Sequence, residues 1–427
     1  MDPMEEPLRG FGKLDNALLC THCGFCLPVC PTYRAENVEI QSPRGRVSTI
    51  LAFRNGTLTP EEVGAVLSYC MACRACHSAC PAGVRVGKLV VMARSLAVVS
   101  KPWTTRLFHW ITDHEGRSRP VARLVHHYQR SPVRTILRKT LGVMGQAPWH
   151  RLDGMIPEFR GAFRQGTSPV PDAAQPIRAA LLCGCMARMF YPNVALATSA
   201  LLTHLGVRLS LLEGFGCCGA PHRDAGNRKK FLKQARKVLD RFRPLEGRID
   251  VVVCDTAACR VTVLSYARAL AGDPEYAALA QRFVERVVDF SSLVLRQCRD
   301  PASFFVKNIS QRVVFMDHCQ TRHGSGIMDQ PRQLLALAMA DCVELPRSDQ
   351  CCGAGGDTML SHPEHGGRIR ADRIKAIEEC GAQMVTGTNS GCLLNMEAGL
   401  RSARSSVAVC HLAEILWESH VCHNDGL

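Results

Sequence analysis

Two short cysteine runs constrain what this chain can fold into more than any other feature of its sequence. They read CTHCGFCLPVCP and CMACRACHSACP, and both follow the spacing C-x2-C-x2-C-x3-C-P. Bacterial ferredoxins use this spacing to hold 4Fe-4S clusters. Zinc sites usually separate two C-x2-C pairs by a long stretch, so four cysteines within eleven residues favour an iron–sulfur cluster over zinc.

The fourth cysteine of each run is expected to serve the cluster of the other run. In ferredoxin loops three thiolates face one cube, and the fourth points away towards the second cube. Pro31 and Pro81 follow the two runs and turn the chain. The predicted ligands of the first cluster are Cys20, Cys23, Cys26 and Cys80. The predicted ligands of the second cluster are Cys70, Cys73, Cys76 and Cys30.

The stretch between the two runs is predicted to be helical. Thr59 is a candidate N-cap, Pro60 takes the first helical position, and two glutamates follow in the first turn. We therefore predict a helix-rich ferredoxin-type domain over residues 10–98. The segment SPRGR, residues 42–46, precedes another helical stretch. Its arginines could donate hydrogen bonds near a cluster or lie in a solvated loop.

The 23 cysteines also bear on the compartment. In a reducing cytosol, closely spaced cysteines more often bind metal or do redox chemistry than form disulfides. MDPMEEPLRG lacks the apolar core of a secretory signal, and no apolar run reaches the roughly 18 residues of a membrane span. We expect a cytoplasmic protein, soluble or bound peripherally at the inner face of the cell membrane. The formal net charge of +14 suits an acidic partner, an anionic membrane face or nucleic acid.

A basic helical or linker segment is predicted over residues 99–177. Residues 101–178 contain 13 Lys or Arg against 5 Asp or Glu, and they include Trp103, Trp110 and Trp149. Such a segment can dock on an anionic membrane or on an acidic subunit, or it can be a solvated linker with a few core helices. No recognised nucleic-acid motif accompanies it, so no nucleic-acid partner is expected. GTSPVPDAAQP, residues 166–176, is predicted to be a linker.

The remainder of the chain is duplicated. An apolar strand leads to one cysteine, Cys-Cys-Gly follows thirty-two residues later, and a small-residue stretch then ends in a fourth cysteine. Two copies of so long a spacing indicate internal duplication, with predicted domains 178–300 and 311–420. The first copy contains Cys185, Cys217, Cys218 and Cys259. The second copy contains Cys319, Cys351, Cys352 and Cys392.

Strands and helices alternate within each copy. In the second copy we predict strands at 312–317, 342–345, 383–387 and 406–409 and helices at 330–340, 366–379 and 411–419. This alternation is typical of a small α/β sandwich with a mostly parallel sheet. The cysteines are expected at strand ends or in loops, where sites collect in open α/β sheets. Each set of four could hold a further cluster, hold zinc, or stay as thiols.

Two ferredoxin runs followed by two CCG domains resemble the iron–sulfur subunit of glycolate oxidase. Relatives include subunits of heterodisulfide reductase, anaerobic glycerol-3-phosphate dehydrogenase and lactate-utilisation complexes. The strings that carry the resemblance are CTHCGFCLPVCPTYR, SPRGR, CRACHSACPAGVR, FGCCGA, DHCQTRHG, QPRQLL and CCGAGGDTMLSHPE. The expected fold is a multidomain α+β protein, with a helix-rich ferredoxin-like domain followed by duplicated α/β CCG cysteine-rich domains.

The resemblance implies an electron-transfer role. A flavin-containing subunit carrying FAD would oxidise glycolate or D-lactate to glyoxylate or pyruvate. This chain would pass the electrons through its iron–sulfur clusters towards a quinone or another membrane acceptor, and no catalytic residue is assigned in it. The alternative is a thiol–disulfide redox subunit like heterodisulfide reductase. That chemistry is in doubt because Thr256 and Asn389 replace the first cysteine of the family's final C-x2-C.

Overall fold

The computed structural model describes residues 12–142, 153–158, 176–338 and 340–420. Trp149 and nearly all of the predicted Pro-rich linker lie outside these residues. The first part of the chain is helical around its cysteine loops, beginning with a 3-10 helix at Gly12–Leu19. Five α-helices follow, α1 Pro31–Glu36, α2 Pro43–Arg54, α3 Pro60–Ser68, α4 Ala75–Ser78 and α5 Val86–Leu96.

Side-chain caps explain where two of these helices begin. The Thr59 hydroxyl accepts a hydrogen bond from the backbone N–H of Glu62 at 3.2 Å. The Glu62 carboxylate accepts one in return from the N–H of Thr59 at 2.8 Å. This reciprocal pair is a capping box, and the predicted start of α3 is confirmed. Ser42 caps α2 in the same way, accepting from Gly45 N–H at 3.0 Å.

The helices of this module pack around one apolar core. Val47 and Ile50 of α2, Leu67 of α3 and Val90 of α5 are fully buried in it, together with Leu14. Several of the ferredoxin cysteines pack against its rim. The core therefore holds the two cysteine loops in a fixed relation to each other.

The basic middle segment forms helices that contact both cysteine-rich copies. Its helices are α6 Trp103–Thr112, α7 Glu115–Arg130 and α8 Pro132–Gly142. Glu115 is buried at the start of α7 and pairs with Arg188 of the first copy at 3.1 Å. Among the described residues, no helix has both the length and the hydropathy of a membrane span.

The two cysteine-rich copies repeat one topology. Each has a four-stranded parallel sheet, in the order β2-β1-β3-β4 in the first copy and β6-β5-β7-β8 in the second. The strands are β1 Arg178–Leu182, β2 Arg208–Leu211, β3 Val251–Cys254, β4 Val287–Asp289, β5 Arg312–Phe315, β6 Asp341–Val343, β7 Met384–Gly387 and β8 Ala408–His411. The predicted α/β fold with a parallel sheet is confirmed.

Helices cover both sheets. In the first copy they are α9 Cys185–Phe190, α10 Pro192–His204, α11 Ala220–Asp224, α12 Arg228–Phe242, α13 Ala257–Val263, α14 Tyr266–Ala269, α15 Ala277–Glu285, α16 Phe290–Gln297 and α17 Pro301–Phe304. In the second they are α18 Asp329–Leu337, α19 Thr358–Ser361, α20 Pro363–Glu379, α21 Ser390–Ser402 and α22 Leu412–His420. A π-helical turn, Gln320–Ser325, follows β5.

Helix α21 was not predicted. The small-residue stretch before Cys392 reads TNSGC, and its small polar residues favour a turn, so a loop was expected there. In the structure the helix begins at Ser390 and continues for 13 residues. It buries Leu393, Met396 and Leu400, whose spacing places them on one helical face.

The two copies pack directly against each other. Phe290 of the first copy shares a buried cluster with Phe315 and Leu412 of the second. The backbone N–H of Ala257 donates to the Thr388 carbonyl across this boundary at 2.9 Å. The duplicated half is therefore one packed unit whose copies meet near their cysteine loops.

His411 also joins the copies and makes the stability of this unit depend on pH. Its Nε2–H donates to the Asp255 carbonyl at 3.0 Å, and its Nδ1 accepts from the Ala413 N–H at 3.2 Å. Burial lowers the pKa of His411 to about 4. The unfolded chain takes up this proton near pH 6.5, so the contribution of neutral His411 to stability is lost as pH falls towards the folded pKa.

We therefore expect the stability advantage of wild type over His411→Gln to shrink by about 2 kcal/mol between about pH 7.5 and about pH 5. Urea unfolding of both proteins at the two pH values measures the change. An advantage that stays constant or grows on acidification would show that His411 does not act as a buried neutral ring.

Candidate functional site

The loop of the first cysteine run lies beside the end of the second run. Cys20, Cys23 and Cys26 line one cavity, and Cys80 faces it from across the module. Its empty volume is about 390 Å³, part of it open to solvent. Gly24 has a φ of +87°, which lets the loop turn tightly between its cysteines.

A second cavity holds the other half of the cysteines. It is lined by Cys70, Cys73 and Cys76 of the second run and by Cys30 of the first, with an empty volume of about 340 Å³. Cys76 also borders the first cavity. The fold thus brings the last cysteine of each run to the cavity of the other run.

Arg46 is buried beside Cys30, with only 2% of its surface exposed. Its Nη1 lies 3.8 Å from the Cys30 sulfur, and its Nη2 donates to Thr32 and Gln41, each at 2.9 Å. Its Nε is buried without a partner. Arg44 of the same SPRGR segment lines the first cavity, where it donates to the His22 carbonyl at 3.1 Å and pairs with Glu39 at 2.6 Å. Both arginines of SPRGR therefore lie beside a cysteine cavity.

A buried cation next to a cluster stabilises the reduced, more negative state. We expect Arg46→Gln to lower the midpoint potential of the cluster that Cys30 faces by on the order of 100 mV. Redox titration followed by electron paramagnetic resonance measures it. Arg44→Gln is the control and should shift the potential of this cluster less, because Arg44 lines the other cavity. Equal shifts in the two variants would contradict a specific role for Arg46.

The first cysteine-rich copy gathers four cysteines in mutual contact. Cys217 contacts both Cys185 and Cys218, and the sulfur of Cys218 lies 3.3 Å from that of Cys259. Hydrogen bonds from the neighbouring thiols hold the pKa of Cys218 well below its usual range. Arg223 lies close by, with one guanidinium nitrogen buried and unpartnered.

The second copy gathers its cysteines in a similar way. The sulfurs of Cys352 and Cys392 are 2.7 Å apart, and Cys352 also contacts Cys351. Cys319 lies near Cys351, and burial raises its pKa well above the usual range. Arg373 is fully buried near this set, and its Nε has no partner. A buried N–H without a partner is costly, and an anionic occupant would satisfy it.

Three of these cysteines do not lie where we expected them. We placed all the cysteines of the copies at strand ends or in loops, but Cys185, Cys259 and Cys392 lie in the first turns of α9, α13 and α21. The prediction was wrong because helices rather than loops begin at Cys185 and at the small residues just before Cys259 and Cys392. A helix N-terminus favours a thiolate, so the position suits a metal ligand.

The cysteine sets are not preformed sites for a single ion. Within the described ranges, no three cysteine, histidine or carboxylate side chains are arranged to hold one metal ion. Zinc would draw its sulfurs to about 2.3 Å from a common centre. A 4Fe-4S cube is a larger body, and its ligands line a cavity around it, as the eight ferredoxin cysteines do here.

The second ferredoxin cavity adjoins the thiols of the second copy. Met71 and Cys73 of the second run pack with Cys351 and Ile369 in one small apolar cluster. The sequence did not reveal this contact, because it joins residues about 280 positions apart. No motif signals such a long-range pairing.

Arg94 is another functional candidate that the sequence analysis missed. It is buried on the inner face of α5, and its guanidinium donates to the carbonyls of Leu67, Cys70 and Asp224, each at 2.6 Å. It therefore ties the Cys70 loop to the first cysteine-rich copy. The available signal was its position four residues after Val90, which places it on the apolar face of the helix.

Family models match the parts of the chain that hold these cysteines. A 4Fe-4S dicluster domain matches residues 16–84, and a cysteine-rich domain matches twice, at residues 179–263 and 313–397. Each cysteine-rich match includes the first three strands of one sheet and ends before its fourth strand. The expected fold class is thereby confirmed.

Curated relatives extend the match to nearly the whole chain. The chain is 31% identical to the probable glycolate oxidase iron-sulfur subunit of Bacillus subtilis (strain 168), over 96% of this chain and 94% of that protein. It is 27% identical to the glycolate oxidase iron-sulfur subunit of Escherichia coli (strain K12), over 92% and 93% respectively. Lactate utilization protein A of Bacillus pumilus (strain SAFR-032) is 27% identical over 55% of this chain and 97% of its own length.

The resemblance read from the cysteine runs and CCG strings agrees with these matches. The aligned regions cover more than nine tenths of this chain and of each glycolate oxidase relative. On this evidence the chain belongs to the glycolate oxidase iron–sulfur subunit family.

Proposed function

We propose that this chain is the electron-transfer subunit of a complex that oxidises a 2-hydroxy acid, glycolate or D-lactate. A flavin-containing partner carrying FAD oxidises the substrate and passes electrons singly to this chain. The chain delivers them towards a quinone-type acceptor at the inner face of the cell membrane. The observation that carries the proposal is the pair of cavities, each lined by four cysteines drawn from both runs.

In this proposal Cys20, Cys23, Cys26 and Cys80 hold one 4Fe-4S cluster, and Cys70, Cys73, Cys76 and Cys30 hold the other. The clusters supply one-electron carriers. The protein fixes them in place and sets their surroundings. Cys23 is exposed, so the first cluster lies at the surface, where a partner can reach it. Cys30 is buried beside Arg46, so the second cluster is more enclosed.

We further propose that the cysteine-rich copies hold a metal group in at least one place. Four contacting cysteines and a nearby arginine with an unpartnered N–H form an anion-accepting set in the first copy. The second copy has the same combination, and its Cys351 packs with Cys73. A cluster there would extend the chain of carriers beyond the second ferredoxin cluster.

Thiol–disulfide chemistry is the second candidate, and the lowered pKa of Cys218 favours it, because a thiolate is the attacking species. The burial of Cys217, Cys218 and Cys259 counts against it, because a disulfide substrate must reach the attacking sulfur. Turnover of a disulfide by the chain alone would support this candidate over the electron-transfer role.

The test is anaerobic purification followed by iron and sulfide analysis and reduction of the clusters. We expect about eight iron atoms per chain from the two ferredoxin clusters, and more if a cysteine-rich copy is loaded. Glycolate or D-lactate should reduce the clusters only when the flavin subunit is present, as followed by electron paramagnetic resonance. A reconstituted chain without iron, or oxidation of the acid by the chain alone, would refute the proposal.

A further inference from the structure

Helix α6 buries polar side chains and exposes large apolar ones, the reverse of the usual arrangement in a surface helix. The side chains that it buries are Thr105, His109 and Thr112. The large side chains that it exposes are Trp103 at 61%, Leu107 at 44% and Trp110 at 57%. These three positions are spaced i, i+4 and i+7, so they form one stripe along the solvent side of the helix.

Buried polar contacts fix this orientation. His109 Nε2 lies 3.1 Å from a carboxylate oxygen of Asp357 in the second copy, and Lys101 pairs with the same carboxylate. At the other end of the helix, Asp113 pairs with His222 of the first copy at 2.6 Å. Turning the helix to bury its apolar stripe would break the polar contacts of His109 and Asp113 and disturb the Lys101–Asp357 ion pair. Separating a buried charge from its partner is costly.

Positive charge surrounds the stripe. Arg106 is exposed between Trp103 and Leu107. Arg117 lies over the Trp110 ring at 4.4 Å and donates to the Trp110 carbonyl at 2.6 Å. Residues 101–142, which include α6, α7 and α8, contain 9 basic and 2 acidic residues, a net charge of +7. An occupant of this surface should therefore combine an apolar layer with negative charge.

We propose that α6 docks the protein on the headgroup layer of an anionic lipid bilayer. Ten residues of helix extend about 15 Å, too short to span but suited to lie in the interface. Tryptophan favours this depth, and exposed arginines attract anionic headgroups. The surface of three exposed side chains is much smaller than the roughly 1,200 Å² buried in a stable protein–protein interface. A fluid bilayer can bind such a small apolar surface because it needs no complementary pocket.

Vesicle co-sedimentation of the full-length, cluster-loaded chain tests the proposal. Phosphatidylcholine vesicles are compared with vesicles that also contain about a third of phosphatidylglycerol. We expect the anionic vesicles to bind at least about ten times more tightly, and added salt to weaken this binding. Failure to bind anionic vesicles at low salt would overturn the proposal. So would binding that is equal for the two compositions, because the arginines would then play no part.

Substitutions in the stripe locate the contact. Trp103→Gln with Trp110→Gln should weaken binding at least about tenfold, and Trp103→Phe with Trp110→Phe should retain most of it. The matched control is Leu196→Gln, a similarly exposed apolar residue of the first copy. If this control weakens binding as much as the tryptophan variant does, α6 is not the docking element.

Charge reversal gives a second, independent measurement. Arg106→Glu should weaken binding to anionic vesicles by about an order of magnitude, because two units of charge change at the contact. Arg248→Glu changes the net charge equally at an exposed site of the first copy and should have little effect. Equal effects would contradict docking through α6. Iron content and electron uptake should stay unchanged, so loss of docking is distinguishable from loss of the proposed electron-transfer function.

Discussion

A chain with Cys30→Ala and Cys73→Ala together should lose about four iron atoms relative to wild type, whereas one with Cys30→Ala and Cys23→Ala should lose about eight. In the crosswise arrangement Cys30 and Cys73 face the same cavity, so the first pair of changes damages only one cluster. Cys23 faces the other cavity, so the second pair damages both. Iron and sulfide analysis of anaerobically purified protein, with electron paramagnetic resonance to count clusters, gives the comparison.

Ligation within each run would reverse this outcome. The pair Cys30→Ala with Cys23→Ala would then spare one cluster, and the pair Cys30→Ala with Cys73→Ala would lose both. The matched control is Cys298→Ala, a buried cysteine outside both runs and outside the CCG sets. It should retain the iron content of wild type, which separates loss of a ligand from general instability.

The second large effect is expected at the glycine of the second CCG motif. Gly353 has a φ of +79°, and a Cβ built there would lie 2.3 Å from the Gly366 carbonyl oxygen, a backbone atom of α20. Gly219 is its counterpart, with a φ of +88°, but its added Cβ would meet the Phe231 side chain at 3.0 Å. A side chain can turn aside, whereas the backbone of a packed helix cannot.

We therefore expect Gly353→Ala to lower the free energy of unfolding by about 4 kcal/mol, and Gly219→Ala by about 1–2 kcal/mol. Urea unfolding under anaerobic conditions measures both. Both variants place an alanine in the left-handed region of the backbone, and this cost is similar in the two. The difference between their losses of unfolding free energy therefore measures the clash with α20. Equal losses of stability would show that α20 moves to accommodate the methyl group.

Short-range patterns were enough to predict much of this protein. The cysteine spacing predicted the sets that share each cavity, because ferredoxin loops are local structures with a fixed order of ligands. Thr59 and Glu62 predicted the start of α3, because a capping box involves residues only three positions apart. The repeated spacing around the CCG motifs predicted two copies with parallel sheets.

Long-range features could not be predicted in this way. The contact of Cys73 with Cys351 and the anchoring of His109 by Asp357 join distant parts of the chain. The sequence did not show that Arg46 rather than Arg44 would be buried, because burial depends on packing that SPRGR alone does not specify. Helix α21 was missed because its small polar first residues resemble a turn, although Leu393 and Met396 follow a helical period.

Arg223 and Asp357 occupy equivalent positions, each five residues after the second cysteine of its CCG motif. One is a cation beside the thiols of the first copy, and the other is an anion that holds the middle segment. The copies that arose by duplication have therefore become specialised, and neither can substitute for the other. A chimera carrying two first copies would lose the Asp357 contact that holds one end of α6, and one carrying two second copies would lose the cation that Arg223 places beside the CCG thiols.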